Sequence, residues 1–340
     1  MPVQGTGIIP SGAAYTQLNA LTRRAYIPKM YVQIYNSSPT IAAMFADAHT
    51  ASGGVSSVTV PVQGNPMVQT QWTDYSGSFN QPPDLQGAYP AEFNLKAIVT
   101  PIPFLGFEGA VQMDHAVVPI IEARMNDATN SMKDGLAQAL FNNVTTTSQL
   151  VGLPGAIDDG TNAATYGNIN RNANPWWQAK VYTASGAPTR QKVFQYIVGT
   201  AKNGAEMPTF GVMGPGTFAS LSNDFIGVVG SAGGEIYNVN PGSGFDTDAN
   251  KPRSAFRALD VAGVPIYVDV YCPEGTLYLI NTNYLNLYVH EMAAFAFTGF
   301  ESLVSNYQLG YIGLVVTLCE LVLAKPKTCS RVGSFTFLTI

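Results

Sequence analysis

The stretch EARMNDATNSMKDGLAQALFNN (residues 122–143) decides the fold, because it predicts one long amphipathic helix. Apolar side chains recur in it every three or four residues, while most polar ones fall on other faces. We predict that the helix begins after an N-cap at Asp114 and ends near Asn142. Its roughly 28 residues would span about 40 Å at about 1.5 Å per residue, so we expect it to be the spine of the fold. The predicted apolar stripe consists of Ile121, Met125, Ala128, Met132, Leu136 and Ala139.

Upstream of this helix, two strand-like segments enclose a long excursion of the chain. The segment SVTVPVQ (residues 57–63) alternates as a strand does, and EFNLKAIVTPIPF (residues 92–104) predicts a second strand. The excursion, residues 64–91, contains no Lys or Arg. Two strands alone cannot bury an excursion of this length, so we expect it to contact a partner surface. The candidate inter-subunit contacts on this extended loop are the aromatic residues Trp72, Tyr75, Phe79 and Tyr89.

The first 55 residues predict an N-terminal arm. Ser38 followed by Pro39 is a favourable pair for the N-cap and first position of a short helix. Apolar residues then recur at helical spacing, which gives this helix one apolar face for contact with another surface. The candidate contact residues of the arm are Tyr31, Tyr35, Met44 and Phe45.

Downstream of the spine helix, the chain predicts a structured loop and then a mixed domain. Residues 152–177 are rich in Gly, Asn and Asp, which favours turns. Thr189 then caps a helix that Gly204 ends, and strand patterns follow, which predicts an α+β domain between about residues 186 and 300. The run GYIGLVVTLCELVLAKP (residues 310–326) is apolar on both faces and predicts a central strand.

The composition indicates a surface that is largely covered by other protein. Charged residues make up only 11% of the 340 residues, whereas about a quarter is usual for a soluble domain. Asn, Gln, Ser, Thr, Gly and Tyr take their place. Charged residues are depleted from interface cores, where aromatic residues are enriched. We therefore expect the protein to work by packing against other subunits.

The charge balance argues against direct nucleic-acid binding as the main function. The net charge is −5, from 17 basic and 22 acidic residues, and no run of basic residues occurs. Phosphate binding leaves a basic patch or stripe, which is missing here. Arg23, Arg24 and Arg171 remain candidates for local basic positions on the inner surface of an assembly of subunits.

Targeting and cysteine patterns predict synthesis in the cytoplasm. The start of the chain lacks a signal-peptide pattern, and no apolar run of about 18 residues is present, so we expect no membrane span. Cys272, Cys319 and Cys329 share no metal-ligand spacing, and an odd, sparse set argues against a disulfide framework.

Chemical motifs are weak throughout the sequence. None of the three histidines stands at metal-ligand spacing from another. Asp158 and Asp159 lie in a DDGT segment typical of a turn, although an acid and base pair is an alternative interpretation. Trp176 and Trp177 suggest either packing or a sugar-stacking platform. We predict no catalytic residue, no metal, no cofactor and no small-molecule substrate.

The order of these elements resembles the Hong Kong 97-type fold of tailed-bacteriophage major capsid proteins. The resemblance extends from about Ala20 to Lys327 and includes RAYIPKMYVQIYNSSPTIAAM, the spine segment quoted above, YGNINRNANPWW and PTFGVMGPGTF. It implies an α+β fold in five parts. These are an arm (1–55), an extended β-hairpin loop (56–104), a peripheral domain with the spine helix (105–185), an inserted axial domain (186–300), and a return to the peripheral domain with C-terminal strands (301–340).

The resemblance also implies a function. Such proteins form the icosahedral shell of the viral head from pentamers and hexamers, and the extended loop of each subunit lies over a neighbour. Expected partners are copies of the chain and portal, scaffolding and cement or decoration proteins, with packaged DNA contacted only indirectly. Some members crosslink through a Lys on the extended loop, but here no Lys precedes Lys96 in that loop, which predicts non-covalent locking in the virion.

Two alternative functions stay open at this point. The same fold serves in encapsulin-like compartments, which load an enzyme cargo. A glycan-binding or hydrolytic protein would instead use Trp176, Trp177, Asp158 and Asp159.

Overall fold

The structure is a computed structural model that describes residues 38–46, 49–51, 56–64, 72, 77, 87–104, 120–143, 148–231, 259–302 and 311–339. The helices in these residues are α1 (Pro39–Ala46), α2 (Ile120–Phe141), α3 (Leu153–Ala156), α4 (Arg190–Gly204) and α5 (Pro215–Ser231). The strands are β1 (His49–Ala51), β2 (Ser57–Gln63), β3 (Ala88–Asn94), β4 (Lys96–Phe104), β5 (Thr165–Tyr166), β6 (Ile169–Asn170), β7 (Lys180–Thr183), β8 (Phe210–Met213), β9 (Leu259–Val261), β10 (Val264–Val268), β11 (Leu277–Ile280), β12 (Leu285–His290), β13 (Ala296–Ser302), β14 (Tyr311–Leu323) and β15 (Ser330–Gly333). None of the helices in these ranges is long and apolar enough to span a bilayer.

Contacts divide the chain into two units. The described part of the smaller unit is residues 98–104, 120–135, 293–302 and 311–317, and the larger unit contains the rest. In the smaller unit, β13 pairs antiparallel with the first half of β14, with a register shift between Phe297 and Phe300. Its buried core lies where α2 packs against β4 and β14. This core consists of Ile102, Ala128, Met132 and Val315.

The spine helix is confirmed over the described residues. It ends at Phe141, one residue before the predicted end, while Asp114 lies outside the described part of the chain. Ala128, Met132 and Leu136 of the predicted stripe are buried. Ala139 is only half-buried, because the buried surface of the helix turns toward Leu140 at its C-terminal end.

The larger unit is built on a six-stranded sheet in the order β7-β15-β11-β8-β10-β9. β10 runs parallel to β8 and β15 runs parallel to β7, whereas β11 is antiparallel to both of its neighbours. Buried side chains of α4 and α5 join the apolar side chains of this sheet in one core. That core includes Val193, Ile197, Leu221, Val264, Ile266, Leu277, Leu279 and Val332.

The segment predicted as one strand over residues 92–104 is two strands. β3 ends at Asn94 and β4 begins at Lys96. β3 pairs with β2, while β4 pairs with β14, so the chain changes partner at Leu95. The backbone N–H of Leu95 donates to the carbonyl of Ser56 at 3.0 Å, which closes the β2–β3 ladder.

The C-terminal strands lie in two different sheets. β14 is central, as predicted, because it pairs with β12, β13 and β4. β15, in contrast, lies between β7 and β11 in the six-stranded sheet. Residues 318–339 belong to the larger unit.

Both ends of α4 agree with the prediction. Thr189 caps the helix as expected, accepting from the N–H of Lys192 at 3.4 Å. Gly204 is the last helical residue, as predicted, and the following Ala205 adopts the left-handed conformation with φ of 61°. Glycine is needed at position 204 because a Cβ there would lie 2.6 Å from the carbonyl oxygen of Lys327.

We predict opposite effects on stability for substitutions at the adjacent positions 204 and 205. Gly204→Ala should lower the free energy of unfolding by about 1–3 kcal/mol through overpacking. Ala205→Gly should raise it by up to about 1 kcal/mol, because glycine adopts positive φ without steric cost. Denaturant unfolding of both variants tests this. A Gly204→Ala variant as stable as the wild type would contradict the close approach.

Candidate assembly surface

The β2–β3 hairpin is the base of the extended loop. Its ladder runs from Ser57 opposite Asn94 to Gln63 opposite Ala88. It is closed by the N–H of Gly64, which donates to the carbonyl of residue 87 at 2.9 Å. The predicted excursion therefore starts where strand pairing stops.

The base of the hairpin is fixed to the turn between β5 and β6. The N–H of Glu92 donates to the carbonyl of Gly167 at 3.1 Å, and the side-chain amide of Asn168 donates to the Glu92 carboxylate at 3.0 Å. The rings of Phe93 and Tyr166 pack edge to face with centroids 5.0 Å apart. Gly167 has φ of 58°, and a Cβ there would lie 2.7 Å from the Phe93 ring, so glycine permits this approach. These contacts hold the base of the hairpin against the β5–β6 turn.

Trp176 supports the far end of the ladder. Its ring lies directly against Gly64, and its centroid is 5.0 Å from that of Tyr89. Its indole N–H donates to the side-chain oxygen of Asn174 at 3.1 Å. Tyr89, a candidate inter-subunit contact, therefore uses part of its half-buried ring within its own subunit.

Asp158 is the buried centre of the loop that carries these supports. Its side chain is fully buried, with the guanidinium groups of Arg331 and Arg171 at 3.6 and 4.0 Å. The carboxylate also accepts backbone hydrogen bonds of 2.9–3.0 Å from Gly160, Asn162 and Ala163. Such a group organises the loop around itself and is not accessible to a ligand.

Arg171 completes this cluster. It is fully buried and donates to the carbonyls of Gly155 and Ala156 at 2.8 and 2.5 Å. Its guanidinium carbon lies 4.7 Å from the centroid of the Tyr166 ring. Burial lowers the pKa of Arg171, although the charge of Asp158 opposes this shift. Arg171 is therefore a structural residue and not a basic position that faces an interior.

The residues of the glycan-binding or hydrolytic alternative take up structural contacts. Trp177 is 1% exposed, and its indole N–H donates to the carbonyl of Tyr166 at 2.9 Å. Asp159 accepts from the N–H and the hydroxyl of Thr161 at 3.1 and 2.6 Å, as a turn-forming Asp does. With Asp158 buried as well, these side chains form no open sugar site.

The described part of the arm docks on its own chain. The Ser38 hydroxyl accepts from the N–H of Ile41 at 3.3 Å, which confirms the N-cap. Asp269, at the end of β10, accepts from the hydroxyls of Ser38 and Thr40 at 2.5 and 2.7 Å. Burial raises the pKa of Asp269, and these two hydroxyls oppose the shift. The start of α1 is thus tied to the larger unit.

Of the four candidate contact residues of the arm, the structure describes only the side chain of Met44. Met44 is 9% exposed and lines a small cavity with Phe210, Ile280 and Leu285, so its side chain packs within the subunit. Tyr31, Tyr35 and the side chain of Phe45 lie outside the described residues.

Trp72 is the candidate that the structure leaves fully exposed. Its relative exposure is 102%, so the residues that the structure describes cover none of its surface. Tyr75 and Phe79 lie outside the described residues. Other large exposed apolar side chains are Val99, Phe194, Val198, Met207, Val270, Met292, Phe297, Tyr311, Phe337 and Leu338.

Glu320 is a buried carboxyl group in β14. It is 2% exposed, and one oxygen accepts from the N–H of Val151 at 3.2 Å, while the other has no hydrogen-bond partner among the described residues. Burial raises its pKa from 4.5 to about 7, and the charge of Lys96 opposes the rise. The folded protein therefore binds a proton here more tightly than the unfolded chain does.

This proton makes stability depend on pH. Below about pH 4.5 both states are protonated; as the pH rises toward about 7, the unfolded state ionises first, so the contribution of Glu320 to stability is lost. As the pH rises from about 4.5 to 8, the free energy of unfolding of Glu320→Gln should therefore increase relative to that of the wild type by up to about 3 kcal/mol. Unfolding curves at both pH values measure this, with exposed Glu301→Gln as control. Parallel pH dependence for wild type and Glu320→Gln would contradict the burial argument.

The part of the chain that the structure describes holds no cluster of three or more His, Cys, Asp or Glu residues suited to a metal ion. All three cysteines are free and buried. Burial raises the pKa of each thiol, to about 12 for Cys319 and about 11 for Cys329. Thiols of this kind are poor nucleophiles.

No protein-family model and no curated protein matches this sequence. Solved structures do match over nearly the whole chain. A capsid chain of cyanophage A-1(L) superposes with a TM-score of 0.66 at 14% identity, covering 94% of this chain and 99% of that one. The capsid of Myoviridae phage XM1 gives 0.57 at 8% identity, with coverages of 97% and 99%. The SrpI encapsulin of Synechococcus elongatus gives 0.56 at 13% identity, with coverages of 96% and 98%. The extended hairpin, spine helix and mixed larger unit therefore make up a Hong Kong 97-type capsid fold.

Proposed function

We propose that the protein is a major capsid protein whose copies assemble into the icosahedral head that encloses phage DNA. The observation that carries this proposal is the extent of the structural match, since 94% of this chain aligns with 99% of the cyanophage capsid chain. The match extends over nearly the whole length of both chains. The gene transfer agent capsid also aligns over 92% of this chain, with a TM-score of 0.56.

The surface chemistry supports the same function. A standard interface buries about 1,600 Å², and a shell subunit makes several at once, so weak contacts add up through multivalency. With charged residues at 11% of the sequence, few ion pairs need to be desolvated when subunits meet. The fully exposed Trp72 on the extended loop is suited to become buried in such a contact.

The remaining parts of the proposal rest on the resemblance to tailed-bacteriophage major capsid proteins. The subunit is made in the host cytoplasm, forms pentamers and hexamers in the virion, and contacts portal, scaffolding and decoration proteins. Its extended loop is locked non-covalently, because no Lys lies between residue 64 and Lys96. Trp72, Tyr75, Phe79 and Tyr89 on the loop and Tyr31, Tyr35 and Phe45 on the arm are the proposed contact residues.

A second candidate function is a cellular compartment. The encapsulin match covers as much of the chain as the phage matches do. Terminase and portal genes beside this gene would favour a virus, whereas an adjacent cargo-enzyme gene would favour a compartment.

Light scattering and negative-stain imaging of the purified, untagged protein test the assembly proposal. We expect closed shells, or rings of five or six subunits when scaffold is missing. A monomer that stays monomeric at high concentration, under crowding and with scaffold candidates added would overturn it.

A further inference from the structure

The outer face of α4 carries an apolar pair flanked by cations. Val193 and Ile197 on its inner face are fully buried, whereas Phe194 and Val198, one position further along, are 48% and 43% exposed. Residues four apart lie on the same side of a helix. Lys202 therefore continues the line of Phe194 and Val198 at the C-terminal end, and it is exposed. We name Phe194, Val198 and Lys202 the α4 stripe.

The charge of α4 has one sign. Its residues 190–204 include Arg190, Lys192 and Lys202 and no Asp or Glu. The ammonium group of Lys192 is held by the carbonyls of Ser185 and Ala187 at 2.6 and 3.1 Å. An exposed apolar pair on a cationic helix fits a partner that combines aromatic and acidic side chains.

The extended loop has the complementary composition. Residues 64–91 contain Asp74 and Asp84, four spaced aromatic residues and no Lys or Arg. Among the described residues, none covers the Trp72 side chain, which is fully exposed. Trp72 follows Gly64, where pairing stops, by eight residues. Eight fully extended residues span about 26–29 Å, so Trp72 can lie at most this far beyond the end of the ladder.

We propose that the α4 stripe is the surface on which the extended loop of a second copy lands, with Trp72 packing on Phe194 and Val198. Lys202 then lies near the loop carboxylates and the indole face, where a cation is favourable. This inference rests on the proposed shell function and names the receiving surface for the loop. Burying a Trp in an apolar site flanked by charge is typical of an interface hot spot.

Intersubunit disulfide trapping tests the proposal. Trp72→Cys and Val198→Cys are made on separate chains, mixed and assembled, and then oxidised; native thiols contribute little background because all three are buried. We expect a covalent heterodimer on non-reducing gels that reductant removes. The matched control replaces Val198→Cys by Phe337→Cys, which is also exposed on the larger unit. Shells that form without the 72–198 product, or that trap Trp72→Cys on Phe337→Cys instead, would overturn this inference and leave the shell function standing.

A charge exchange gives an independent measurement should cysteine variants fail to assemble. Lys202→Glu, at an exposed position, should leave the circular dichroism spectrum unchanged and raise the critical concentration for assembly about tenfold. Adding Asp74→Lys and Asp84→Lys on the same chain should restore most of the loss. An unchanged critical concentration for Lys202→Glu would contradict the landing surface. Failure of the wild-type chain to assemble at all would overturn the shell function and this inference together.

Discussion

Deleting residues 65–86 and joining Gly64 to Gly87 through Asn-Gly is expected to give a folded subunit that forms no closed shells. The β2–β3 ladder already closes between these two glycines. Its base is held by Glu92 on Gly167 and by the Phe93 ring, so the deletion leaves these contacts in place. The lost segment contains Trp72, two further aromatic residues and both aspartates of the loop, Asp74 and Asp84. Sedimentation measures the loss of particles, and thermal unfolding confirms the fold.

A length-matched control separates contact from connection. Replacing residues 65–86 by a Gly/Ser segment of the same length keeps the reach of the loop but removes its side chains. We expect this variant to fail in assembly as the deletion does. Normal shells from either variant, with an intact subunit, would show that the extended loop is dispensable and would refute its assigned role.

Asp158→Ala is expected to destabilise the subunit by about 3–5 kcal/mol, the cost of leaving a buried charge without its partner. The substitution removes the carboxylate that faces fully buried Arg171 and mostly buried Arg331. It also leaves three backbone N–H groups of the following turn without their acceptor. Because this turn leads into the β5–β6 hairpin that supports the extended loop, assembly should fall together with stability. Denaturant unfolding of the isolated subunit measures the effect.

The adjacent carboxylate provides the control for this prediction. Asp159 is half-buried and its hydrogen bonds reach only Thr161, two residues away. Asp159→Ala should cost no more than about 1 kcal/mol, as the loss of a local turn contact does. Equal destabilisation by the two substitutions would contradict the central role of Asp158.

Elements with a local signature could be predicted from the sequence. β2 has the predicted bounds, and β14 is central as its two apolar faces indicated. The spine helix follows from a stripe repeating every three or four residues, and the Ser38 cap from its neighbour Pro39. Each of these features depends on residues a few positions apart, which is the range over which periodicity and capping act.

Long-range pairings had no such signal. Asp158 meets Arg331, and Ser38 meets Asp269, across most of the chain, so no spacing rule connects them. The position of β15 between β7 and β11 is likewise set by tertiary contacts. The buried role of Met44 was missed for the same reason, since the residues it packs against lie more than 160 positions away. A DDGT segment predicts a turn whether or not an arginine from elsewhere in the chain pairs with its aspartate, so the ion pairs of Asp158 could not be predicted.

Electron cryomicroscopy of particles assembled from the purified wild-type chain tests the central claim most directly. We expect an icosahedral shell of pentamers and hexamers, in which the extended loop of each subunit lies on its neighbour and the Trp72 side chain is buried between them. Particles whose loops contact no neighbouring subunit, or a chain that forms no shell under any assembly condition, would contradict the account.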